Sequence, residues 1–438
     1  MAQARTRTTN APCPGAGRAV REQPSMHRKL LPIFIIVLVD VFGLTLILPL
    51  LPFYAERLGA TPFQAGLLTS VYAACQLISG PLLGRLSDKT GRKPLLLVSQ
   101  VGTLIGFLVL ARAEALWVVF VSRVIDGATA GNLSLAQAYI ADVTEPKDRA
   151  KSFALIGIAF GLGFLVGPGV SGFLSQYGYH WPVYLAAALS LTSILCTALL
   201  LPKAPPHPEA SPPPVSASGP GDRPPPPPAG RRLALLDWGA YAVYFRDRAL
   251  ATLLLQFFLF TFAFAAFTSG FGLFAERRLT WHGVPFGARE VGLVFAYSGF
   301  LGLILQGGLI GRLVKRFGER ALVAAGFAGA TAGYLLLAAT FVVPTVLLAA
   351  TVSAFGNGLL RPSLTSLITQ RVGRGEQGLV LGLTQSLMSV GQITAPALFG
   401  LLISHGLLWE WGLGAAAVTA LALVVGRTRA AAASTGGD

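Results

Sequence analysis

Apolar runs of about twenty residues, separated by short polar segments, follow one another along most of the chain. A helix that crosses a bilayer needs about 20 predominantly apolar residues, and these runs meet that requirement. The pattern therefore predicts an all-α membrane protein with twelve transmembrane helices, at residues 30–53, 63–84, 94–112, 115–140, 150–175, 181–201, 248–275, 291–314, 320–341, 344–371, 378–403 and 409–427.

The distribution of charged residues predicts the orientation of these spans in the membrane. Charged residues make up 12% of the 438 residues, whereas a soluble domain has about 25%. The net charge of +15 comes largely from Lys and Arg in the tails and in alternate short loops, which is the positive-inside pattern. We expect a monomeric, multi-pass protein of the cell membrane with both termini in the cytoplasm. Its environment is the lipid bilayer, and nucleic acid is not an expected partner.

A proline-rich segment divides the twelve spans into two sets of six. Thirteen of the 29 residues from 202 to 230 are proline, a composition that behaves as an extended spacer and packs no core. The sequence therefore predicts five regions: a disordered basic tail at 1–29, a six-helix bundle at 30–201, a cytoplasmic linker at 202–247, a second six-helix bundle at 248–427, and a tail at 428–438.

The two sets of spans repeat each other. The sequence Leu-Leu-Gly-Arg-Leu at 82–86 returns as Leu-Ile-Gly-Arg-Leu at 309–313. Three positions of the fifth span return 228 residues later in the eleventh: Gly163, Pro168 and Gly172 as Gly391, Pro396 and Gly400. Parallel repeats of six helices are typical of transporters built from two pseudo-symmetric halves that rock around a central cavity.

Four charged residues lie well inside predicted spans, away from the span ends, and a charge costs about 2.5–3.5 kcal/mol or more at mid-bilayer. They are Asp40, Arg123, Asp126 and Arg361. A carboxylate in apolar surroundings takes up a proton more readily than one in water, whereas arginine stays charged. The functional interpretation is proton coupling through Asp40, Asp126 or both, with the two arginines setting their charge balance. The alternative for Arg123 and Asp126, three residues apart on one helical face, is that they only neutralise each other.

Two further motifs stand out between and within spans. The first, predicted to form a tight charged loop between the second and third spans, contains Gly84, Arg85, Asp88, Lys89, Gly91, Arg92 and Lys93. The second places Gly163, Gly167, Pro168 and Gly172 in the fifth span, where small residues allow close helix packing. The second motif is interpreted either as ordinary packing or as a hinge or seal between the halves.

The sequence offers no apparatus for catalysis. It contains no His, Cys, Asp and Glu cluster with metal-ligand spacing, no phosphate-binding loop followed by lysine, and no nucleophile elbow. We therefore expect neither an enzyme nor a metal or organic cofactor, and we expect a proton gradient to supply the energy.

These motifs resemble those of the major facilitator superfamily. The pattern Gly84-x-x-x-Asp88-Lys89-x-Gly91-Arg92-Lys93 is similar to the superfamily motif between helices 2 and 3, and the helix 5 glycines are similar to its antiporter motif. Among the twelve-helix drug/proton antiporters, the sequence resembles the tetracycline/proton antiporters most. The stretches that carry this likeness are Asp40 with Pro49 and Pro52, residues 138–144, and residues 317–320.

The resemblance implies alternating access to a central cavity. Asp88, with Arg92 and Arg85, would hold the cytoplasmic side closed, and the helix 5 motif would seal the interface between halves. Helices 1, 4, 7 and 10 would line the cavity, so that the four intramembrane charges face it. Gln256 and Gln306, together with the phenylalanines of the seventh span, are further candidates for the substrate cavity.

Two departures from the tetracycline exporters bear on the substrate and on the mode of coupling. Gly302 stands where those proteins carry a histidine in helix 8, and Ala330 where they carry an aspartate in helix 9. Separately, the second-half copy of the charged motif is degraded, since Lys315 stands where the repeat of Asp88 would be.

The predicted function is proton-coupled efflux of a small amphipathic or drug-like molecule. One alternative is a symporter or facilitator for a nutrient such as a sugar or organic acid, in which Arg361 would favour an anion. A second alternative is a transporter-like sensor or scaffold that recruits partners through the proline-rich linker.

Overall fold

The protein folds as a bundle of long helices. The computed structural model describes residues 26–144, 149–201, 244–373 and 377–435. The helices are α1 Met26–Ile47, α2 Leu51–Arg57, α3 Pro62–Thr90, α4 Arg92–Ala111, α5 Leu116–Ala128, α6 Asn132–Val143, α7 Arg149–Ser175, α8 His180–Leu200, α9 Arg248–Arg278, α10 Ala288–Ile304, α11 Ile310–Phe317, α12 Glu319–Ala338, α13 Val343–Gln370, α14 Gln377–Ser404 and α15 Leu408–Thr435. A π-helical turn, Leu305–Leu309, joins α10 to α11, and a short hairpin of β1 Thr280–Trp281 and β2 Val284–Pro285 follows α9.

Each of the twelve predicted spans has a helical counterpart. Among the described residues, ten helical spans are long and apolar enough to cross a membrane, and α1 with α2, bent by 42°, forms an eleventh candidate. The span predicted at 115–140 is divided between α5 and α6. The predicted fold class is confirmed. The tail predicted at 1–29 and the linker at 202–247 lie almost entirely outside the described residues, as do the last three residues of the tail at 428–438.

Both broken spans have local causes in the sequence. Pro49 follows the end of α1, and proline disfavours the helical conformation of the residue before it and lacks a backbone donor. Between α5 and α6, Ser99 of α4 accepts a hydrogen bond from the Gly131 backbone N–H at 2.9 Å and donates one to the Thr129 carbonyl. Ser99 therefore satisfies two backbone groups that the break leaves without helical partners.

The charged motif is more helical than predicted. Helix α3 continues through Asp88 to Thr90, so the prediction of a tight loop over Gly84–Lys93 is wrong in its extent. The turn is confined to Gly91, whose φ of 96° favours glycine. Gly318, at the corresponding place of the second half, has a φ of 77°. The last turns of α3 extend past the apolar run because helix formation needs no bilayer and the charged side chains can reach water.

The helices form two halves with similar internal packing. In the first half, α1 packs on α7 and α8, and α4 packs on α5 and α8. In the second half, α9 packs on α14 and α15, and α12 packs on α13 and α15. The main contacts between the halves are made by α3 with α14 and by α7 with α10.

Candidate functional site

The two halves meet closely at one face of the molecule, called here the closed face, which carries α2 and the β-hairpin. The backbone carbonyl of Pro396 in α14 lies against Gly66 in α3, and the carbonyl of Pro168 in α7 lies against Gly292 in α10. In both places a Cβ atom on the glycine would overlap the opposing backbone. Glycine is therefore required for these two contacts.

The contacts between halves end before the opposite face, called here the motif face because it carries Gly91 and Gly318. A Cβ atom built on Gly84 of α3 or Gly382 of α14 would meet no atom within 4 Å, and the same holds for Gly308 and Gly311 near the end of α10 and the start of α11. From this difference between the two faces we infer that the helices that touch at the closed face diverge toward the motif face, so that the space between the halves opens there.

Polar contacts supplement the packing at the closed face. Arg277 at the end of α9 forms an ion pair with Glu56 of α2 at 2.5 Å, so the pair connects the two halves. The backbone N–H of Phe63 donates to the Ser404 hydroxyl at 3.0 Å. Both contacts must break if the closed face opens.

Asp40 lies in α1 beside two uncharged polar residues of the first half. The Gln100 amide of α4 and the Ser193 hydroxyl of α8 adjoin its carboxylate. Gln100 and Ser193 are fully buried and are joined by a hydrogen bond of 2.7 Å. Among the described residues, no Lys or Arg nitrogen lies within 4 Å of the carboxylate. The sequence reasoning missed Gln100 and Ser193, although a glutamine inside an apolar run was a usable signal.

Arg123 and Asp126 form a buried ion pair inside the first half. The Nη1 atom of Arg123 lies 3.4 Å from Oδ2 of Asp126, and each residue is only 5% exposed. Tyr72 of α3 and Thr103 of α4 adjoin the pair, and Asp126 is close enough to Asp40 for their charges to interact. The structure therefore brings three of the four predicted charges together. Arg123 and Asp126 are packed between helices in this structure, and their predicted position at the cavity stays a prediction.

Arg361 is separate from this group. It lies in α13 of the second half, and its side chain is exposed. Its Cζ atom lies 5.8 Å from the ring centre of Phe160 in α7 of the first half. Within the described ranges, no carboxylate oxygen lies within 4 Å of its guanidinium.

The two glutamines lie in different environments, and their predicted cavity roles stay predictions, while the buried aromatic residues of α9 pack against neighbouring helices. Gln256 is buried and donates to the Ala422 carbonyl at 2.9 Å, so it joins α9 to α15. Gln306 is exposed on the π-helical turn. Phe274 stacks on Trp411 with ring centres 4.8 Å apart. The other buried phenylalanines of α9, including Phe267 and Phe271, likewise pack inside the second half. The aromatic residues of α9 pack in the hydrophobic core of the second half because neighbouring helices enclose α9.

The charged motif connects helices within the first half. Arg92 pairs with Asp88 at 2.6 Å and with Asp142 of α6 at 2.9 Å, and it donates to the Ser87 hydroxyl. Lys93 donates to the carbonyls of residues 198 and 201 at the end of α8. The motif therefore ties α3, α4, α6 and α8 together. Its role in closing the motif face stays a prediction, because that face is open in this structure.

The helix 5 motif contacts both halves. In α7, Gly163 packs against Val41 of α1, and Gly167 packs against Thr45 of α1. Both contacts are too close to leave room for a Cβ atom on the glycine. One turn further, Gly172 packs against the backbone of Arg289 in α10.

The second half repeats this arrangement at the corresponding positions. Gly391 faces Phe262 of α9 in its own half, whereas Gly400 faces Pro62 of α3 in the other half. The internal repeat of the sequence thus corresponds to two equivalent interfaces between the halves.

Metal chemistry has no visible basis in the described part of the chain, where no group of three His, Cys, Asp or Glu residues could hold an ion. The candidate site consists of the buried group of Asp40, Arg123 and Asp126 in the first half and of Arg361 in the second half.

Comparison with known proteins agrees with this architecture. The family model of the Major Facilitator Superfamily matches residues 33–313 and 286–433. The class C tetracycline resistance protein of Escherichia coli is 30% identical over 82% of this chain and 86% of its own length. The crystal structure of the human organic anion transporter MFSD10 superposes with a TM-score of 0.68 at 24% identity, covering 92% of this chain and 100% of that one. That of the nucleoside transporter NupG gives 0.67 at 18% identity, covering 91% and 98%.

Proposed function

The chain belongs to the Major Facilitator Superfamily, and from this premise we propose that it exports a small amphipathic organic molecule in exchange for protons. It is a secondary transporter and not an enzyme. Asp40, a carboxylate within the membrane that is not paired with a cation, is the observation that carries the proposed proton coupling.

Asp40 suits the proton better than Asp126 does. The charge of Asp126 is balanced by Arg123 at 3.4 Å, so protonating Asp126 would leave a buried cation unpaired. Protonating Asp40 removes a charge that only the dipoles of Gln100 and Ser193 stabilise. Protonation of Asp40 therefore costs less free energy than protonation of Asp126, because it leaves no buried cation unpaired.

The direction of export follows from the distribution of basic residues. Arg92, Lys93, Arg312 and Lys315 lie toward the motif face, which the positive-inside rule assigns to the cytoplasm. On this assignment both termini are cytoplasmic and the cavity is open to the cytoplasm, ready to receive cargo. Similarity to a tetracycline resistance protein supports a drug-like cargo. The location proposed for the protein is the cell membrane, as the sequence predicts.

The proposal is tested in proteoliposomes with an imposed pH gradient. Uptake of a compound panel that includes tetracycline is measured together with the internal pH. We expect Asp40→Asn to abolish uptake driven by the gradient while preserving exchange of labelled for unlabelled substrate. Asp247→Asn is the matched control, because Asp247 only caps the start of α9 and asparagine caps equally well. Gradient-driven uptake by Asp40→Asn at the wild-type rate would overturn the assignment of the proton to Asp40.

A further inference from the structure

Arg361 is a charge placed deep in the second half. It lies nine residues before the end of α13 at Gln370, or about 14 Å along the helix axis. The hydrocarbon core of a bilayer is about 30 Å thick, so the guanidinium is far from either end of the span. Arginine keeps its charge in such a place.

The side chain of Arg361 reaches into the space between the halves. It is exposed, yet its Cζ atom lies 5.8 Å from the ring centre of Phe160, which belongs to α7 of the other half. A lipid-facing arginine of α13 would not lie over a residue of the opposite half. Phe160 is itself partly buried against the core of the first half, which fixes the position of its ring.

Nothing in the described part of the chain balances this charge. Among the described residues, the guanidinium has neither a carboxylate within 4 Å nor a hydrogen-bond acceptor, and it lies over the face of the Phe160 ring. Of the two intramembrane carboxylates, Asp126 is paired with Arg123, and Asp40 adjoins Gln100 and Ser193. A guanidinium presents several N–H donors in a plane that fits the two oxygens of an oxoanion.

We propose that Arg361 binds the anionic group of the transported molecule, which is an amphipathic organic oxoanion such as an aryl carboxylate or sulfonate. The oxoanion bonds to the guanidinium, and the apolar part of the molecule lies against Phe160. Because Arg361 and Phe160 belong to different halves, the bound anion contacts both. This assignment rests on the proposed transport function and adds the charge of the cargo.

Matched pairs of probe compounds test whether the binding site prefers an anionic ligand. Aryl sulfonates of one to three rings are compared with the neutral sulfonamides of the same ring systems, which have nearly the same shape. Affinity is measured on the purified full-length protein by the ligand-dependent rise in Tm, and transport is measured in proteoliposomes under a pH gradient. We expect at least one sulfonate to bind about tenfold or more tightly than its sulfonamide.

Variants assign that preference to the arginine. Arg361→Gln is expected to lower sulfonate affinity about tenfold or more without changing sulfonamide affinity, and Arg361→Lys is expected to lie between. Arg112→Gln is the control, since it removes an exposed cation at the end of α4. The unliganded Tm of each variant verifies folding, and Arg361→Lys retains the charge if Arg361→Gln does not fold.

The outcomes separate the two proposals. Absence of any Arg361-dependent sulfonate preference across the panel overturns the anion assignment, even if neutral or cationic compounds are transported with protons. Binding that depends on Arg361, without gradient-driven transport of any probe, supports the anion site and overturns the proton-coupled function.

Discussion

Adding one methyl group at Gly400 should open the closed face. Gly400 of α14 is buried, and a Cβ atom there would lie 2.6 Å from the carbonyl oxygen of Pro62 and 3.2 Å from Cα of Phe63 in α3. Both opposing atoms belong to the backbone, so no side-chain rotation can make room. Since ordinary van der Waals contact begins at 3.4 Å, the Gly400→Ala variant must separate the two helices by about 0.8 Å at this point.

The size of the effect follows from the cost of overpacking. Inserting a methyl group into a tightly packed contact costs about 1–3 kcal/mol. The clash exists only while the closed face is closed, so this free energy favours the state in which that face is open. At 1.4 kcal/mol for each factor of ten, the population ratio shifts by about 5-fold to 140-fold.

A single cysteine in the other interface reports this population. Ala288 of α10 is 5% exposed and packs near Gly172 of α7, so a cysteine there reacts only when the halves separate. In a background without the three native cysteines, the alkylation rate of Ala288→Cys by an impermeant maleimide should rise by the same factor when Gly400→Ala is added.

The matched control is Gly382→Ala in the same helix. It gains the same helix propensity, but its Cβ atom meets nothing within 4 Å. An equal alkylation rate for Gly400→Ala and Gly382→Ala would refute the reasoning, because it would mean that the α3–α14 contact does not restrain opening.

Two further predictions concern ion pairs. Arg123→Gln should lower the free energy of unfolding in mixed micelles by about 3–5 kcal/mol, because it leaves the buried Asp126 carboxylate without its cation. The double variant with Asp126→Asn should recover most of that loss, and a failure to recover would indicate a role beyond mutual neutralisation. Glu56→Gln should raise the alkylation rate at the closed face by no more than about 5-fold, since the partly exposed pair with Arg277 contributes about 1 kcal/mol or less. A larger rise would show that this ion pair, rather than helix packing, holds the face closed.

Hydropathy was sufficient to predict the spans and the two halves because burial in lipid requires long apolar runs whatever the tertiary contacts. It could not predict which way a given side chain points. Lipid tails are as apolar as leucine, so a span carries little sequence contrast between its lipid face and its packed face. Gln256 and Arg361 illustrate this: both are polar residues within spans, yet Gln256 is buried between helices and Arg361 is exposed beside Phe160 of the opposite half.

The partners of Asp40 were invisible for a related reason. Gln100 and Ser193 lie on two other helices, about 60 and 150 residues further along the chain, and the packing of both α1 and α4 on α8 brings them to the carboxylate. Charge alone marked Asp40, Arg123 and Asp126 as unusual, because each is costly in a membrane. An uncharged hydroxyl or amide has a low enough free-energy cost in the membrane to occur without a function, so its presence in a span predicts little.

The two halves share their mechanical parts but not their chemical parts. Gly66 against Pro396 and Gly292 against Pro168 are equivalent contacts, one on each side of the cavity. Rocking needs both, because a single contact would let the halves pivot apart around it.

The charges, in contrast, are divided. Asp40 lies in the first half without an equivalent in the second, where Phe267 occupies the position 227 residues later, and Arg361 lies only in the second. A proton and a cargo each need only one binding group, provided that the rocking motion exposes that group to both sides in turn. Exchange by alternating access therefore requires interfaces that are present in both halves, whereas each charged binding group is needed in only one half. Selection on the charges could proceed in one half without disturbing the contacts that let both halves move.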